Sequence, residues 1–289
     1  GHDGHTTIGL GLAHVFKSLE SQLSGTVKLI FQPAEEGTRG AKSMVEAGVV
    51  DDVDFFTAVH IGTGVPAGEL VCGSDSFMAT SKLDVTFRGV ASHAGARPED
   101  GRNALLAAAQ AALGLYAIPR HSEGSSRINV GVLQAGTGRN VIADRAFMKV
   151  ETRGATNEIN AFVYQQALNA IEGAAKMHGV ACDIALMGAA QSSKPTQPWV
   201  DYIRRQAQQI TELASVVDRR EQAAGSEDAT YMMERVKSHG GQASYVIFGT
   251  ELSAGHHNEK FDFNEQVMAG AVKTLASLAL NLPTFGSGA

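Results

Sequence analysis

The order of six predicted elements between residues 80 and 189 restricts the fold of this chain more than any other feature. A half-buried strand is predicted for SKLDVTFRG, where apolar and polar side chains alternate. An Ala/Leu-rich helix follows over 102–117, then the strands SRINVGVLQAG and AFMKVETRG, a long helix that Gly179 stops, and a last strand, VACDIALMG. The order β-α-β-β-α-β is that of ferredoxin-like units. We therefore expect residues 80–189 to fold as one compact α+β insert.

The segment before this insert alternates between strand and helix patterns. Strands are predicted over 26–31 (TVKLIF) and 54–60 (DFFTAVH). A short helix is predicted between them, over 39–47, with Gly48 closing it. This alternation is typical of a parallel sheet that is covered by helices.

The segment after the insert has the same alternation. A helix is predicted for WVDYIRRQAQQITEL, a strand for 243–249 and a long helix for 264–282, while the final PTFGSGA has the composition of a disordered end. We therefore expect a discontinuous α/β domain formed by residues 1–79 and 190–289. The ferredoxin-like unit of residues 80–189 would be inserted between its two parts.

Composition excludes several classes of protein. The 289 residues are 44% apolar and 19% charged, which is ordinary for a globular protein, and the length suits two domains. The formal net charge of −6 gives no support for a nucleic-acid partner. No apolar run approaches the roughly 20 residues of a membrane span, and GHDGHTTIGLG does not have the pattern of a secretion signal. Two distant cysteines, Cys72 and Cys182, are typical of reduced thiols, so we expect a cytoplasmic protein.

Two adjacent carboxylates, Glu35 and Glu36, follow the predicted strand 26–31 in the motif QPAEEG. Such neighbours repel each other, and each raises the pKa of the other. They are either two exposed glutamates on a surface loop or part of a site whose positive charge offsets the repulsion. A bound divalent cation would supply that charge.

Histidines favour the second interpretation. His60 ends a predicted strand, and His256 with His257 follows another, so all three fall at strand ends of the same domain as the glutamates. Ligands bind at the carboxyl ends of strands in open α/β sheets. Imidazole and carboxylate together, without cysteine, suit Zn²⁺ or Mn²⁺. Glu36 could then ligate the metal while Glu35 accepts a proton from water.

Seven ordered motifs resemble those of the M20 metallopeptidase family: GHDGHT, QPAEEG, AVHIG, GVASHAGARPEDGRNAL, GTGRNVIAD, GSEDA and GHHNEKFDF. They are similar to its amidohydrolase branch, which includes hippurate hydrolases and indole-acetyl-amino-acid hydrolases. The resemblance implies a metal-dependent hydrolase with two divalent ions, Mn or Zn, that cleaves the amide bond of an N-acyl amino acid. It favours p-aminobenzoyl-glutamate as substrate, with hippurate-like and N-acetyl diamino acids as alternatives. A non-catalytic subunit that retains the fold is a further alternative, although such a homologue should have lost the glutamate or the histidines.

The resemblance also implies roles for single residues of the metal centre. The metal ligands it implies are His2, Glu36, His60 and His257, with His256 as the alternative to His257. It implies that Glu35 is the general base. Ser226, Glu227 and Asp228 fall near the family's substrate pocket, but acidic side chains would repel an anionic substrate, so they are not predicted to act.

Three residues of the insert match the family's lid. His93 would reach a dimer-related active site and polarise the scissile carbonyl, and Asn140 and Arg153 would hold the substrate's carboxylate end. The strand SKLDVTFRG is expected to be an edge strand, and its charged residues Lys82, Asp84 and Arg88 would block pairing with another chain only modestly. We therefore expect a homodimer through residues 80–189, or a heterodimer with a related subunit. In the alternative, His93 merely caps the helix that begins near Arg102.

One departure from the family concerns the start of the sequence. The amidohydrolase branch has a cysteine ligand two positions before the first histidine of GHDGHT, whereas this sequence starts at Gly1. We therefore expect that a segment of the whole protein precedes Gly1, and that without it the metal site lacks one ligand.

Overall fold

The structure, a computed structural model, contains two four-stranded sheets. It describes residues 1–62, 64–75, 77–220 and 225–282. The helices are α1 (His2–Ser18), α2 (Gly40–Glu46), α3 (Ala104–Tyr116), α4 (Asn157–Met177), α5 (Gln197–Ala207), α6 (Thr230–Ser238) and α7 (Val267–Leu280). The strands are β1 (Phe55–Ile61), β2 (Glu69–Val71), β3 (Ala79–Arg88), β4 (Ser126–Ala135), β5 (Arg145–Gly154), β6 (Ala181–Ala190), β7 (Ser215–Val217) and β8 (Gln242–Phe248). None of the described helices is long and apolar enough to cross a membrane.

The first sheet has the strand order β1-β8-β2-β7. Strand β1 runs parallel to β8, and β2 runs parallel to β7 but antiparallel to β8. The sheet is therefore mixed, and the prediction of a parallel sheet is wrong for the pairing of β2 with β8. The connection 62–68 between β1 and β2 is shorter than the dozen or more residues that a parallel crossover needs, so β2 has to run back antiparallel to β1.

Helices cover both faces of the first sheet. Side chains alternate along β8, so that Val246 and Phe248 join the core formed with α1, α5 and α7, whereas Tyr245 and Ile247 join the core formed with α2 and α6. On α1, the buried residues Ile8, Leu12 and Phe16 recur every four positions and form a single apolar stripe. The α/β class is thus confirmed as a three-layer arrangement.

The strand predicted over 26–31 is not formed. No regular secondary structure is present over these residues, and no backbone hydrogen bond joins them to a strand among the described residues. Its apolar side chains Val27 and Leu29 pack against the α1 core, while a cleft of about 1310 Å³ lies along it and along the outer edge of β1. The sequence pattern here is that of a strand, but a strand also needs a neighbour at hydrogen-bonding distance.

The second sheet, built from residues of the predicted insert, is antiparallel with the order β4-β5-β3-β6. The helices α3 and α4 pack together and cover one face, where Leu83, Val85 and Phe87 of β3 are buried. The sequence of elements is the predicted β-α-β-β-α-β. The division of the chain into domains at residues 80 and 189, and a role of this unit as a lid, stay predictions.

Two expectations about this unit are wrong. Strand β3 lies between β5 and β6 and is not an edge strand; the edge strands are β4 and β6. Helix α3 begins at Ala104, and its cap is the Asn103 side chain, which accepts hydrogen bonds from the backbone N–H groups of Leu105 (3.0 Å) and Leu106 (3.3 Å). His93 therefore does not cap this helix. The tail 283–289, predicted to be a disordered end, lies outside the described residues.

Candidate metal and catalytic site

The loop that carries the two adjacent glutamates is strained on both sides. Glu35–Gly37 form a single 3-10 turn, and the flanking Ala34 and Thr38 have φ angles of 57° and 51°. Residues other than glycine rarely adopt this left-handed conformation, and it persists only where the surroundings enforce it. Both carboxylates of the pair lie at the same end of the first sheet, where each has an oxygen within 3.9 Å of a His2 ring nitrogen.

Three histidine rings meet at this end. His2 and His5 lie three residues apart on one face of α1, with ring centroids 5.4 Å apart. His60, near the carboxyl end of β1, lies 4.4 Å from the His5 ring and 6.1 Å from the His2 ring, centroid to centroid. The structure thus brings together two motifs, GHDGH and AVHIG, that are far apart in the sequence.

The glutamates face these histidines. His2 Nε2 lies 3.6 Å from Glu35 Oε2, His2 Nδ1 lies 3.9 Å from Glu36 Oε1, and His257 Nε2 lies 3.7 Å from Glu36 Oε2. These separations exceed a normal N–H···O hydrogen bond. They are close to the roughly 3.4 Å between two ligand atoms that each lie about 2.1 Å from one tetrahedral ion. The nitrogen and oxygen donors of this site therefore fit a divalent cation.

Hydrogen bonds of His5 and His60 determine whether either ring has a nitrogen lone pair free to bind a metal ion. His60 Nδ1 donates to the carbonyl oxygen of Ile61 at 2.8 Å, so the lone pair of the neutral ring is on Nε2. His5 Nε2 instead accepts the N–H of Ile61 at 2.9 Å, which uses the only lone pair of its neutral ring. Burial lowers the pKa of His60 to about 4 and that of His5 to about 2, so both rings are neutral. His60 can ligate, whereas His5 holds the start of α1 against the end of β1.

The two histidines of GHHNEKF occupy different surroundings. His257 is exposed, lies beside Glu36 and has a φ of 63°, another strained backbone conformation at this site. His256 is half-buried, with its ring 5.5 Å from the His60 ring and 5.0 Å from the Phe261 ring. Both are near the cluster, and the assignment of His257 as the ligand stays a prediction.

A buried carboxyl group, Glu227, lies behind the cluster. The Tyr245 hydroxyl donates to its Oε2 at 2.8 Å and the N–H of Ala229 donates to its Oε1 at 3.3 Å. Carboxylate oxygens of Glu35, Glu227 and Asp228 lie within 4.8 Å of one another. Burial raises the pKa of Glu227 to about 8, and burial together with the charge of Glu36 raises the pKa of Glu35. Glu227 is thus a buried carboxyl group next to Glu35, and its exclusion from the site stays a prediction.

Asp228 holds the glutamate loop at both ends. Its Oδ1 accepts a hydrogen bond from Gln32 Nε2 at 2.6 Å, and its Oδ2 accepts one from the N–H of Ala41 at 3.0 Å. These partners lie before and after the strained turn that carries Glu35. Sequence reasoning missed this role, since only the fold brings residue 228 next to residues 32 and 41. The sequence feature that could have pointed to Asp228 is the acidic pair in GSEDA, just before a helix.

The predicted lid residues fall into two groups. His93 and Asn140 are neighbours: the N–H of Ala94 donates to the Asn140 carbonyl at 3.0 Å, and His93 forms an isolated bridge with Val141. Arg153 is paired in register with Thr80, at the opposite end of β3 from Arg88 and His93. Eight residue steps along β3 separate these ends by about 27 Å. Within one chain, Asn140 and Arg153 therefore do not hold the same carboxylate.

The Arg153 end of the second sheet contacts the glutamate loop. Lys82 Nζ donates to the carbonyl oxygen of Glu36 at 3.3 Å, and the N–H of Ala189 donates to the carbonyl oxygen of Thr38 at 3.1 Å. A Cβ atom on Gly188 would lie 2.2 Å from the carbonyl oxygen of Gly37, so this close approach requires glycine. Arg153 itself makes a two-point ion pair with Glu151, at 2.9 and 3.1 Å.

The fold is of the α/β class, and its site gathers histidine and carboxylate groups that fit divalent cations. The chain belongs to peptidase family M20/M25/M40, whose sequence model matches residues 1–281. It is 66% identical to one of the subunits of p-aminobenzoyl-glutamate hydrolase from Escherichia coli and 65% identical to indole-3-acetyl-aspartic acid hydrolase of Enterobacter agglomerans. Both alignments span 283 residues, which are 98% of this chain but 65% of each relative. The chain thus spans about two thirds of the length of these relatives.

The crystal structure of an aminobenzoyl-glutamate utilization protein from Klebsiella pneumoniae is also similar. Its TM-score is 0.91 at 60% sequence identity, and the match covers 99% of this chain and 69% of that one. The family predicted from the motifs is therefore confirmed by both sequence and fold.

Proposed function

We propose that this protein is a metal-dependent amidohydrolase of N-acyl amino acids, and that p-aminobenzoyl-glutamate is its substrate, with p-aminobenzoate and glutamate as products. The observation that carries this proposal is the pair Glu35–Glu36 facing a cluster of candidate histidine ligands. The two relatives that are 65–66% identical support the substrate class, since the names of both contain an acyl group joined to an amino acid.

The residues that would hold divalent ions are His2, Glu36, His60 and His257. Their nitrogen and oxygen atoms suit either Zn²⁺ or Mn²⁺, and we propose two ions for each site. Bound there, such ions lower the pKa of a water molecule and polarise the carbonyl group of the scissile amide.

Glu35 would be the group that moves the proton. Its raised pKa brings it closer to the range in which a carboxylate can accept a proton from the attacking water and pass it to the leaving nitrogen. Asp228 would assist by holding the loop, since its two hydrogen bonds fix the residues on either side of the base.

His93 would donate a hydrogen bond to the carbonyl oxygen of the substrate. Its Nδ1 accepts hydrogen bonds from the N–H groups of Gly95 (3.2 Å) and Ala96 (3.1 Å), so the proton of the neutral ring is on Nε2. A fixed N–H donor of this kind stabilises the negative charge that develops on the oxygen.

We propose that His93 acts on the site of a second subunit. This is supported by its place at the end of β3 that is remote from the glutamate loop. Exposed apolar side chains of the edge strand β4 and of the neighbouring helix α3 offer a surface for the contact: Leu133, Leu113 and Tyr116. The partner is either another copy of this chain or a related chain, since the Escherichia coli relative is itself named as one subunit of its enzyme.

The free cysteines Cys72 and Cys182 support a location in the reducing cytoplasm.

The proposed function is tested by incubating the purified protein with Mn²⁺ or Zn²⁺ and p-aminobenzoyl-glutamate. We expect release of p-aminobenzoate, no release after chelation of the metal, and slower release of the free acids from hippurate and from N-acetyl diamino acids. If a protein with bound metal cleaves none of these amides, it is not an amidohydrolase of this class.

Substitution of the candidate ligands should lower the metal content. We expect Glu36→Ala, His60→Ala and His257→Ala each to lose bound metal, because each removes a donor atom from the cluster. His256→Ala should lose less, since His256 packs against His60 and Phe261. Mass spectrometry of the metal content after dialysis measures the difference. Equal loss from the His256 and His257 variants would show that the choice between them is wrong.

A further inference from the structure

A second, smaller pocket of about 360 Å³ lies between the glutamate loop and the face of the second sheet that the helices leave open. Glu36 lines both this pocket and the main cleft, so the two spaces meet at the candidate metal ligand. Three cationic side chains line it, from three segments of the chain: Arg39, Lys82 and Lys149. The pocket is therefore both positively charged and adjacent to the proposed reaction centre.

The charges of these three cations are not fully offset by neighbouring carboxylates. None of them forms an ion pair with any residue in the described part of the chain. Two acidic residues besides Glu36 line the same pocket. Glu151 is bound at both oxygens by Arg153, and Asp84 lies opposite Lys149 in the register of β3 and β5. Even if Asp84 offsets one cation and Glu36 faces the histidines, two positive charges remain for a ligand.

We propose that this pocket binds the side-chain carboxylate of an acidic amino acid and so makes the enzyme selective for N-acyl glutamate or aspartate. This inference rests on the proposed function. Arg39 offers a planar fork that matches a carboxylate, and the lysines add point charges. A substrate with a neutral side chain would leave these cations without a partner.

The two relatives are consistent with this selectivity. Their names contain glutamate and aspartic acid, the two amino acids with a second carboxylate. Arg153 is not free for this role in the structure, because Glu151 occupies its guanidinium group. The substrate's two carboxylates would then be bound by separate groups, with the side chain in the pocket of Arg39, Lys82 and Lys149.

Binding measurements in an inactive, metal-loaded Glu35→Gln background test the pocket without turnover. The probes are p-aminobenzoyl-glutamate and p-aminobenzoyl-glutamine, which have nearly the same shape but differ in one charge. We expect calorimetry to give at least about tenfold tighter binding of the acid. The double variant Arg39→Gln/Lys149→Gln should reduce that ratio to about threefold or less, with the affinity for the amide unchanged.

Lys176→Gln, which removes an exposed cation from α4, is the matched control and should retain the full ratio. Lys82 is not substituted, because it contacts the backbone of Glu36. Equal binding of acid and amide before substitution would overturn the inference, as would a full ratio in the double variant or an equal loss of both ligands. If discrimination is found but the unsubstituted, metal-loaded protein cleaves no amide, the proposed function fails and the carboxylate pocket stands.

Discussion

Glu35→Gln is expected to lower the turnover of p-aminobenzoyl-glutamate by about 10²–10⁴-fold, while the bound metal stays near its original level. The amide has almost the size of the carboxylate but cannot accept the proton of the attacking water. Parallel measurements of kcat and of metal content by mass spectrometry would separate loss of the base from loss of the ions.

The control for this substitution is Glu46→Gln, which removes a carboxylate from an exposed ion pair with Lys42 on α2 and should not change kcat. Retention of more than about a tenth of the activity in Glu35→Gln would contradict the assignment of the base. Loss of metal would instead indicate that Glu35 is itself a ligand, since it lies as near to His2 as Glu36 does.

Mixing two inactive proteins should restore activity if the site is shared between subunits. A His93→Ala chain keeps Glu35, and a Glu35→Gln chain keeps His93, so a hybrid dimer contains one complete site. With free exchange at equal amounts, about a quarter of all sites should be active, against almost none in either protein alone. The rate of p-aminobenzoate release before and after exchange of the chains gives the result.

A second mixture provides the control for this experiment. Glu35 and Glu36 both belong to the part of the site that a single chain supplies. Hybrids of Glu35→Gln and Glu36→Ala therefore contain no complete site and should stay inactive. If exchange is demonstrated by labelled chains and the His93→Ala mixture stays inactive, His93 does not serve a partner's site.

Elements with a long and clear period can be predicted from the sequence. The strands and helices of residues 80–189 occur in the predicted order because each one alternates or repeats over about ten residues or more. The strands β2 and β7 could not be predicted, since three residues are too few to show a period. The predicted strand 26–31 is absent, because pairing depends on a neighbour that local pattern does not reveal.

The candidate site divides in the same way. Glu35, His60 and the histidines of GHHNEKF could be found because each follows an apolar run, and strand ends gather at one edge of a sheet. The roles of His5 and Asp228 could not be found. His5 depends on α1, which was not predicted from the sequence, and on its hydrogen bond to Ile61. Asp228 depends on contacts with Gln32 and Ala41, which lie almost two hundred positions away.

The contact between Gly188 and Gly37 links the second sheet to the loop that carries Glu35 and Glu36. The backbones meet there without intervening side chains, and the N–H of Ala189 is bonded to Thr38, the strained residue that ends the Glu35 turn. A rotation of the second sheet relative to this loop would therefore break these contacts. The same rotation would also displace the backbone next to Glu35 and Glu36. A movement that separates the two sheets would then also shift Glu35, the proposed general base.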